Sequence, residues 1–161
     1  MSRAHAAVSS FVFLIVGPGV VDVAVPWALT RWEVHDFPLV LRVVGGALIA
    51  AGAAVLLHGF WRFVVEGIGT PSPVRPTQNL VVGGAYRYVR NPIYLANTSI
   101  IVGQGFLLGQ LKLLVYGVGV LIIFTAFVRF YEEPTLRRKF GDEYEQYCRT
   151  VPRWLPRRPQ P

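Results

Sequence analysis

Gly83-Gly84-Ala85-Tyr86-Arg87-Tyr88-Val89-Arg90-Asn91-Pro92-Ile93-Tyr94, or GGAYRYVRNPIY, is a polar, turn-rich passage between two pairs of long apolar segments. A connection that only joined two helices would not need two glycines, three tyrosines and two arginines. Tyrosines offer flat faces with a polar tip, and arginines offer planar forks suited to carboxylate or phosphate. Asn91-Pro92 ends one helix-compatible run and starts the next, because proline disfavours helix just before it and suits a first helical turn. The passage reads as one wall of a cofactor site, with Glu132-Glu133 as the second wall.

Working outward, the chain has 161 residues, enough for one domain, and is 53% hydrophobic with only 16% charged residues. Soluble domains carry roughly 25% charged residues. Together with a mean hydropathy of +0.44, this predicts an all-α integral membrane bundle. Four spans are expected, at 8–29, 38–65, 93–108 and 111–130, with a cytoplasmic loop at 66–92 and a tail at 131–161. Each span approaches the ~20 apolar residues that a bilayer needs. The first begins like a signal peptide after Arg3 but reads as a retained span, since its apolar character runs past Gly17-Pro18-Gly19 without a clean cleavage pattern. Asp22 lies inside it, either as a functional acid or as an interface residue beside Trp27.

In the second span, Gly46, Ala50 and Ala54 recur every fourth residue and are expected to form a close-packing face. His58, Arg62 and Glu66 share another face at the same spacing, as an interface trio or as the floor of a site. The Gly/Pro-rich run Gly67–Pro76 reads as a stiff, extended loop. The third span is short and holds Asn97, Thr98, Ser99 and Gln104, so it should face protein. Gly109-Gln110 turns the chain tightly into the fourth span, making an antiparallel hairpin.

The net charge of +7 has no nucleic-acid motif beside it and suits anionic lipid head groups. With both termini cytoplasmic, only Arg31, Arg42 and Lys112 of the 16 basic residues fall outside, as the positive-inside rule favours. That orientation puts the tyrosine loop and the tail on one cytoplasmic side, of a bacterial inner membrane if the arginine-rich usage reflects a GC-rich genome. Cys148 is alone and no Cys/His cluster suggests a metal. The oligomeric state is left open. Pro134 should kink or restart the helix after Glu132-Glu133. Leu136, Phe140, Tyr144 and Tyr147 suit an amphipathic interface helix broken at Gly141, with Asp142 and Glu145 as a capping box. The tail reads as a lid.

Two acids, paired arginines and tyrosine faces suit a zwitterionic or cationic ligand such as S-adenosylmethionine, whose sulfonium gains from aromatic faces and whose amino and hydroxyl groups want carboxylates. Leu80-Val81, Gly83-Gly84-Ala85-Tyr86, Arg90-Asn91-Pro92-x-Tyr94, Glu132-Glu133-x-x-Leu136, Phe140-Gly141-x-x-Tyr144 and Val151-Pro152-Arg153 together resemble the isoprenylcysteine carboxyl methyltransferase family, to which the phospholipid methyltransferases are similar. The resemblance covers roughly residues 80 to 156. It implies a helical membrane bundle that binds S-adenosylmethionine between loop, hairpin and tail. Tyr86, Pro92 and Tyr94, with the backbone of Leu80 and Val81, would hold the adenosyl part, Glu132 with Glu133 beside it the polar part, and Asn91 is a further cofactor-binding candidate. Arg90 would support the site. Apart from the resemblance, an amine nucleophile would need a base to keep it neutral, and Glu132 or Glu133 could serve. Arg129 and Asn97 are the candidate acceptor-binding residues. The chain departs from the pattern at Asn91, where the family usually has histidine. Arg129 also lies one position from the substrate-binding arginine of the prenylcysteine enzymes. The expected acceptor is lipophilic, a carboxylate, thiol or amine on an isoprenoid- or lipid-linked molecule, entering from the bilayer between the third span and the Gly46-Ala50-Ala54 face. Two other classes compete: an NADPH-dependent membrane reductase of the sterol reductase kind, and a non-enzymatic membrane subunit.

Overall fold

The computed structural model describes residues 3–67 and 79–158, and the described chain is helical, without strands. The first rod runs from α1 (Arg3–Pro18) through a π-helical segment (Gly19–Ala24) into α2 (Val25–Thr30). Helix α3 (Leu39–Arg62) ends in a second π segment, Phe63–Gly67. A short 3₁₀ turn, Gly84–Arg87, precedes α4 (Pro92–Leu108). Helix α5 (Leu111–Phe127) continues through a π segment (Val128–Glu132) into α6 (Glu133–Phe140), and α7 (Asp142–Thr150) follows. The Gly67–Pro76 loop lies, beyond Gly67, outside the described residues.

Three helical stretches are long and apolar enough to cross a bilayer, Phe11–Thr30, Leu39–Glu66 and Leu111–Phe140, and α4 is a shorter apolar helix. Leu111, Val115, Val118 and Ile122 of α5 are all exposed, whereas Leu113, Gly117 and Val120 are buried. One side of α5 therefore meets lipid and the other meets protein. At 1.5 Å per residue the apolar part of the last stretch is used up near residue 130, so its charged remainder projects beyond the hydrocarbon.

Helices α3 and α4 pack closely and antiparallel, through a face other than the expected one. A Cβ at Gly45 would lie 2.6 Å from the Gly103 carbonyl, one at Gly52 would lie 2.8 Å from the Ala96 carbonyl, and one at Gly59 would lie 2.9 Å from Ile93. Ala50 and Ala54 are exposed, and a Cβ at Gly46 would meet nothing within 4 Å. The reason is angular. Steps of four drift roughly 40° around the helix, while steps of seven drift only about 20°. The glycines seven apart stay on the seam.

A π segment replaces the break that the sequence suggests at Pro134. Pro134 does not interrupt its helix, because the wider turn before it lets Glu133 N–H donate to Val128 C=O five residues back, which eases the crowding at proline. Near Pro18, the Gln104 amide donates to Asp22 C=O (2.7 Å) and the Tyr116 hydroxyl to Val21 C=O (3.0 Å). These two side chains satisfy carbonyls in the π turn. The Asp22 carboxylate is buried, with no hydrogen-bond partner among the described residues. The break at Gly141 is present, at φ +51°. The expected capping box is not: α7 has no side-chain N-cap bond, and Glu145 pairs instead with Arg137 (2.7 Å).

Candidate functional site

His58, Arg62 and Glu66 sit at the start of the tyrosine loop and line neither of the recesses beside it. Arg62 and Glu66 form an ion pair, and Glu66 accepts a hydrogen bond from Gly83 N–H at 3.1 Å. A Cβ at Gly83 would overlap Arg62, and one at Gly84, which sits at φ +59°, would overlap His58. The trio packs on the glycine pair, and the positive φ of Gly84 is the conformation that favours glycine there.

The C-terminal segment holds the other end of the loop. Arg90 N–H donates to Pro152 C=O (2.9 Å) and Arg157 N–H to Tyr88 C=O (2.9 Å). The Asn91 amide donates to Arg153 C=O (3.1 Å) and the Tyr147 hydroxyl to Tyr86 C=O (2.7 Å). Asn91 therefore acts as a tether as well as a lining residue.

Two recesses meet at this loop. The larger, about 330 Å³, lies among the membrane helices. Gly17 and Val21 of the first rod form one side, Phe124 and Phe127 of α5 another, and Tyr94 and Asn97 of α4 a third. The smaller, about 70 Å³, lies under the tail, lined by Leu80, Val81, Glu133, Leu136, Tyr144 and Tyr147. Phe63, Tyr86, Arg90, Asn91 and Glu132 line both. The rings hold one another in place: Phe63 meets Tyr86 edge-on at 5.7 Å between centroids, and Tyr94 packs on Phe124 at 4.7 Å.

The two neighbouring acids are in opposite circumstances. The Tyr94 hydroxyl donates to Glu132 Oε2 at 2.7 Å, and Glu132 makes no ion pair among the described residues. Burial pushes its carboxyl above the usual range, the Tyr94 hydrogen bond offsets part of that, and the charge on Glu133 adds to it. Glu133 is only 2% exposed but has three arginines around it. Arg153 forks onto it at 2.7 and 2.8 Å, Arg90 lies at 3.2 Å and Arg137 at 3.9 Å. Burial again pushes upward, but the Arg153 hydrogen bonds and the charges of Arg90, Arg153 and Arg137 outweigh it and hold Glu133 below the usual carboxylate range. The Tyr86 phenol is raised by burial and by Glu132. Arg90 also donates to Cys148 Sγ at 2.6 Å.

Of the residues picked from sequence, Leu80, Val81, Tyr86, Arg90, Asn91, Tyr94, Asn97, Glu132 and Glu133 line one recess or both. Arg129 and Pro92 do not. Arg129 is exposed, because Val128 and Glu132 occupy the inward positions of the π turn and Arg129 is rotated outward. Pro92 begins α4 and faces a groove on the far side of the loop. The sequence reading missed Gly17, Val21, Phe63, Phe124 and Phe127, whose apolar side chains look like any other part of a span. It also missed the grip of Arg153 on Glu133, which joins residues twenty positions apart. The expected acceptor route along Gly46, Ala50 and Ala54 does not lead here, since these residues line neither recess.

The model of a family described as phospholipid methyltransferase matches residues 40–143. No curated protein and no solved structure matches the chain. The matched range takes in the loop, the hairpin and both acids; the first rod and Arg153 fall outside it.

Proposed function

The chain belongs to the phospholipid methyltransferase family, and on that premise we propose that it transfers a methyl group from S-adenosylmethionine to a lipophilic acceptor drawn from the bilayer. Membership makes it a membrane methyltransferase acting on lipid-type substrates, which favours transfer over the reductase and subunit readings. The observation that carries the finer reading is the common wall of Tyr86, Arg90, Asn91 and Glu132 between a recess under the tail and a chamber among the spans.

The residues present fit the donor. Glu132 is a half-buried carboxylate without a cation of its own among the described residues, and Tyr86, Tyr94 and Phe63 add aromatic faces beside it. A cationic sulfonium and an amino group are what such a set accepts. Leu80, Val81 and Tyr86 would hold the adenosyl part, with Tyr144 and Tyr147 closing over it. When bound, the donor supplies an electrophilic methyl group.

The chain's own residues do the rest. Tyr94 orients Glu132 through its hydroxyl. Glu133 holds Arg90 and, through Arg153, the tail, so it acts by positioning. Alignment of two reactants is worth much of the barrier in a displacement of this kind, and the apolar chamber keeps water from the acceptor. Asn97 Oδ1 is buried and has no hydrogen-bond partner among the described residues. It lines the chamber and can take a hydrogen bond from an acceptor head group. The basic-residue count supports a cytoplasmic site, open to a water-soluble donor.

Isotope-labelled S-adenosylmethionine, given to the purified protein with membrane lipid extract, tests this. Label should pass to a lipid-soluble product, identified by mass spectrometry. A protein that binds no S-adenosylmethionine would overturn the proposal.

A further inference from the structure

A third cavity, a groove of about 280 Å³, lies on the face of the loop turned away from both recesses. The 3₁₀ turn separates them: Tyr86 and Arg90 face the recesses, while Ala85 and Val89 face the groove. Its floor is Ala51 and Gly52 of α3 with Ala96 and Ser99 of α4. Small residues here leave the backbone nearly bare, so the trough runs along the two helices within the spanning region. Its cytoplasmic end is lined by Tyr88 and Pro156. Tyr88 is 48% exposed, with the amphipathic ring that favours the membrane–water boundary.

The charge at that end is distinctive. Arg87 precedes Tyr88 and Arg157 follows Pro156, and the bond from Arg157 N–H to Tyr88 C=O holds the two segments side by side. Both arginines are exposed, and neither forms an ion pair among the described residues. Arg90, Arg137 and Arg153, by contrast, all converge on Glu133. The mouth is therefore cationic, while the trough is apolar and faces lipid.

We propose that the groove binds an anionic phospholipid, with an acyl chain in the trough and its phosphate between Arg87 and Arg157. The site is distinct from the acceptor chamber, and the inference does not depend on methyl transfer. An arginine fork suits phosphate, and a basic side chain at an anionic membrane surface strengthens binding additively.

The test is lipid retention. The full chain is taken from vesicles of mixed phosphatidylcholine and phosphatidylglycerol into mild detergent, and native mass spectrometry reads the lipids that stay bound. Phosphatidylglycerol should be retained in preference to phosphatidylcholine. The Arg87→Gln/Arg157→Gln double variant, altered only at exposed positions, should lose roughly thirtyfold of that preference. Ala51→Phe, which fills the trough, should reduce retention with both arginines intact. Equal retention of the two lipids would overturn the proposal, as would unchanged retention in the arginine variant. A second copy of the chain seated on this face, seen as a dimer that Ala51→Phe splits without loss of lipid, would overturn it as well. Because the readout is bound lipid, failure of the methyl-transfer reading would leave this result intact, and the converse also holds.

Discussion

Arg153 forks onto Glu133 with both hydrogen bonds at 2.8 Å or less, across a carboxylate that is almost wholly buried. The contact ties the C-terminal segment to the start of α6, and Arg90 on the same carboxylate brings in the loop. Arg153→Ala removes this fork but leaves Glu133 facing Arg90 and Arg137, so the cost is that of lost charge-assisted hydrogen bonds, roughly 1.5–3 kcal/mol, and not that of an unpaired buried charge. Arg153 is a third exposed, so the lower end applies, read by thermal unfolding in detergent. Glu133→Gln and Arg153→Ala should also raise the donor's KM by similar factors, and the double variant should be little worse than either single one, as coupled partners behave. Additive effects on KM would separate Glu133 from the tail and return it to a direct chemical role.

The two acids predict opposite pH signatures. Glu133 is held low, so its contribution to stability is present above the ordinary glutamate value and is lost only as pH falls through its own lower value. Glu132 is held high, so its carboxylate costs stability as pH rises past the ordinary value, and the cost is complete above its own. Glu132→Gln removes that cost. Relative to wild type, the variant should gain stability between acidic and neutral pH, whereas Glu133→Gln should lose it. Parallel stability profiles for wild type and Glu132→Gln would show that Glu132 carries no such burden.

Glu132 should nonetheless be needed for the donor. A charge-assisted hydrogen bond is worth roughly 1.5–3 kcal/mol, so Glu132→Gln should weaken S-adenosylmethionine binding by about tenfold or more. Tyr86→Ala should also weaken it, through loss of the aromatic face. Arg129→Gln, altered at an exposed position, should bind normally. Calorimetry on the three variants checks this ranking, and a loss in Arg129→Gln equal to that in Glu132→Gln would reverse the assignment made here.

Much of the bundle is legible in the sequence because a span declares itself by length and hydropathy. The loop and the paired acids are legible because polar residues are conspicuous in an apolar chain. What stays hidden is rotational phase. The four-residue pattern points to Gly46, Ala50 and Ala54, whereas Gly45, Gly52 and Gly59 form the seam, and Arg129 stands exposed while Val128 holds the inward position. Both differences come from assuming a regular helical phase where the packing seam or a π turn sets another. Pro134 suggested a break for the same reason. The contribution of Gly17 and Val21 had no signal, since chamber walls in a membrane protein use the residues that also face lipid.

Topology follows from the basic residues. In a Cys148→Ser background, single cysteines at Val82 and Leu155, both exposed, should be labelled by a membrane-impermeant reagent from the cytoplasmic side only. Labelling of either from outside would invert the orientation and move the donor's entrance.

The acceptor should enter through the side of the bundle. The larger chamber is bounded by Gly17, Pro18 and Val21 on one rod and by Ile123, Phe124 and Phe127 on another, and Ile123 is itself 66% exposed on the outside of the bundle. A water-soluble acceptor would have to share the donor's entrance under the tail, while a lipid can slide between these two rods from the hydrocarbon. Its chain would then be bound by burial, at ~0.8 kcal/mol per methylene. Lengthening the alkyl chain of a candidate acceptor should lower its apparent KM by roughly fourfold per methylene until the chamber is filled. Gly17→Leu tests the route. The nearest atoms to a Cβ at Gly17 belong to the Phe13 ring, at 3.4 Å, an ordinary contact, so the helix tolerates a side chain there, but a leucine would narrow the gap. Long acceptors should lose more than short ones, with donor affinity unchanged. If a short, water-soluble amine or thiol is methylated as well as its long-chain analogue, and Gly17→Leu treats both alike, entry from the bilayer is wrong.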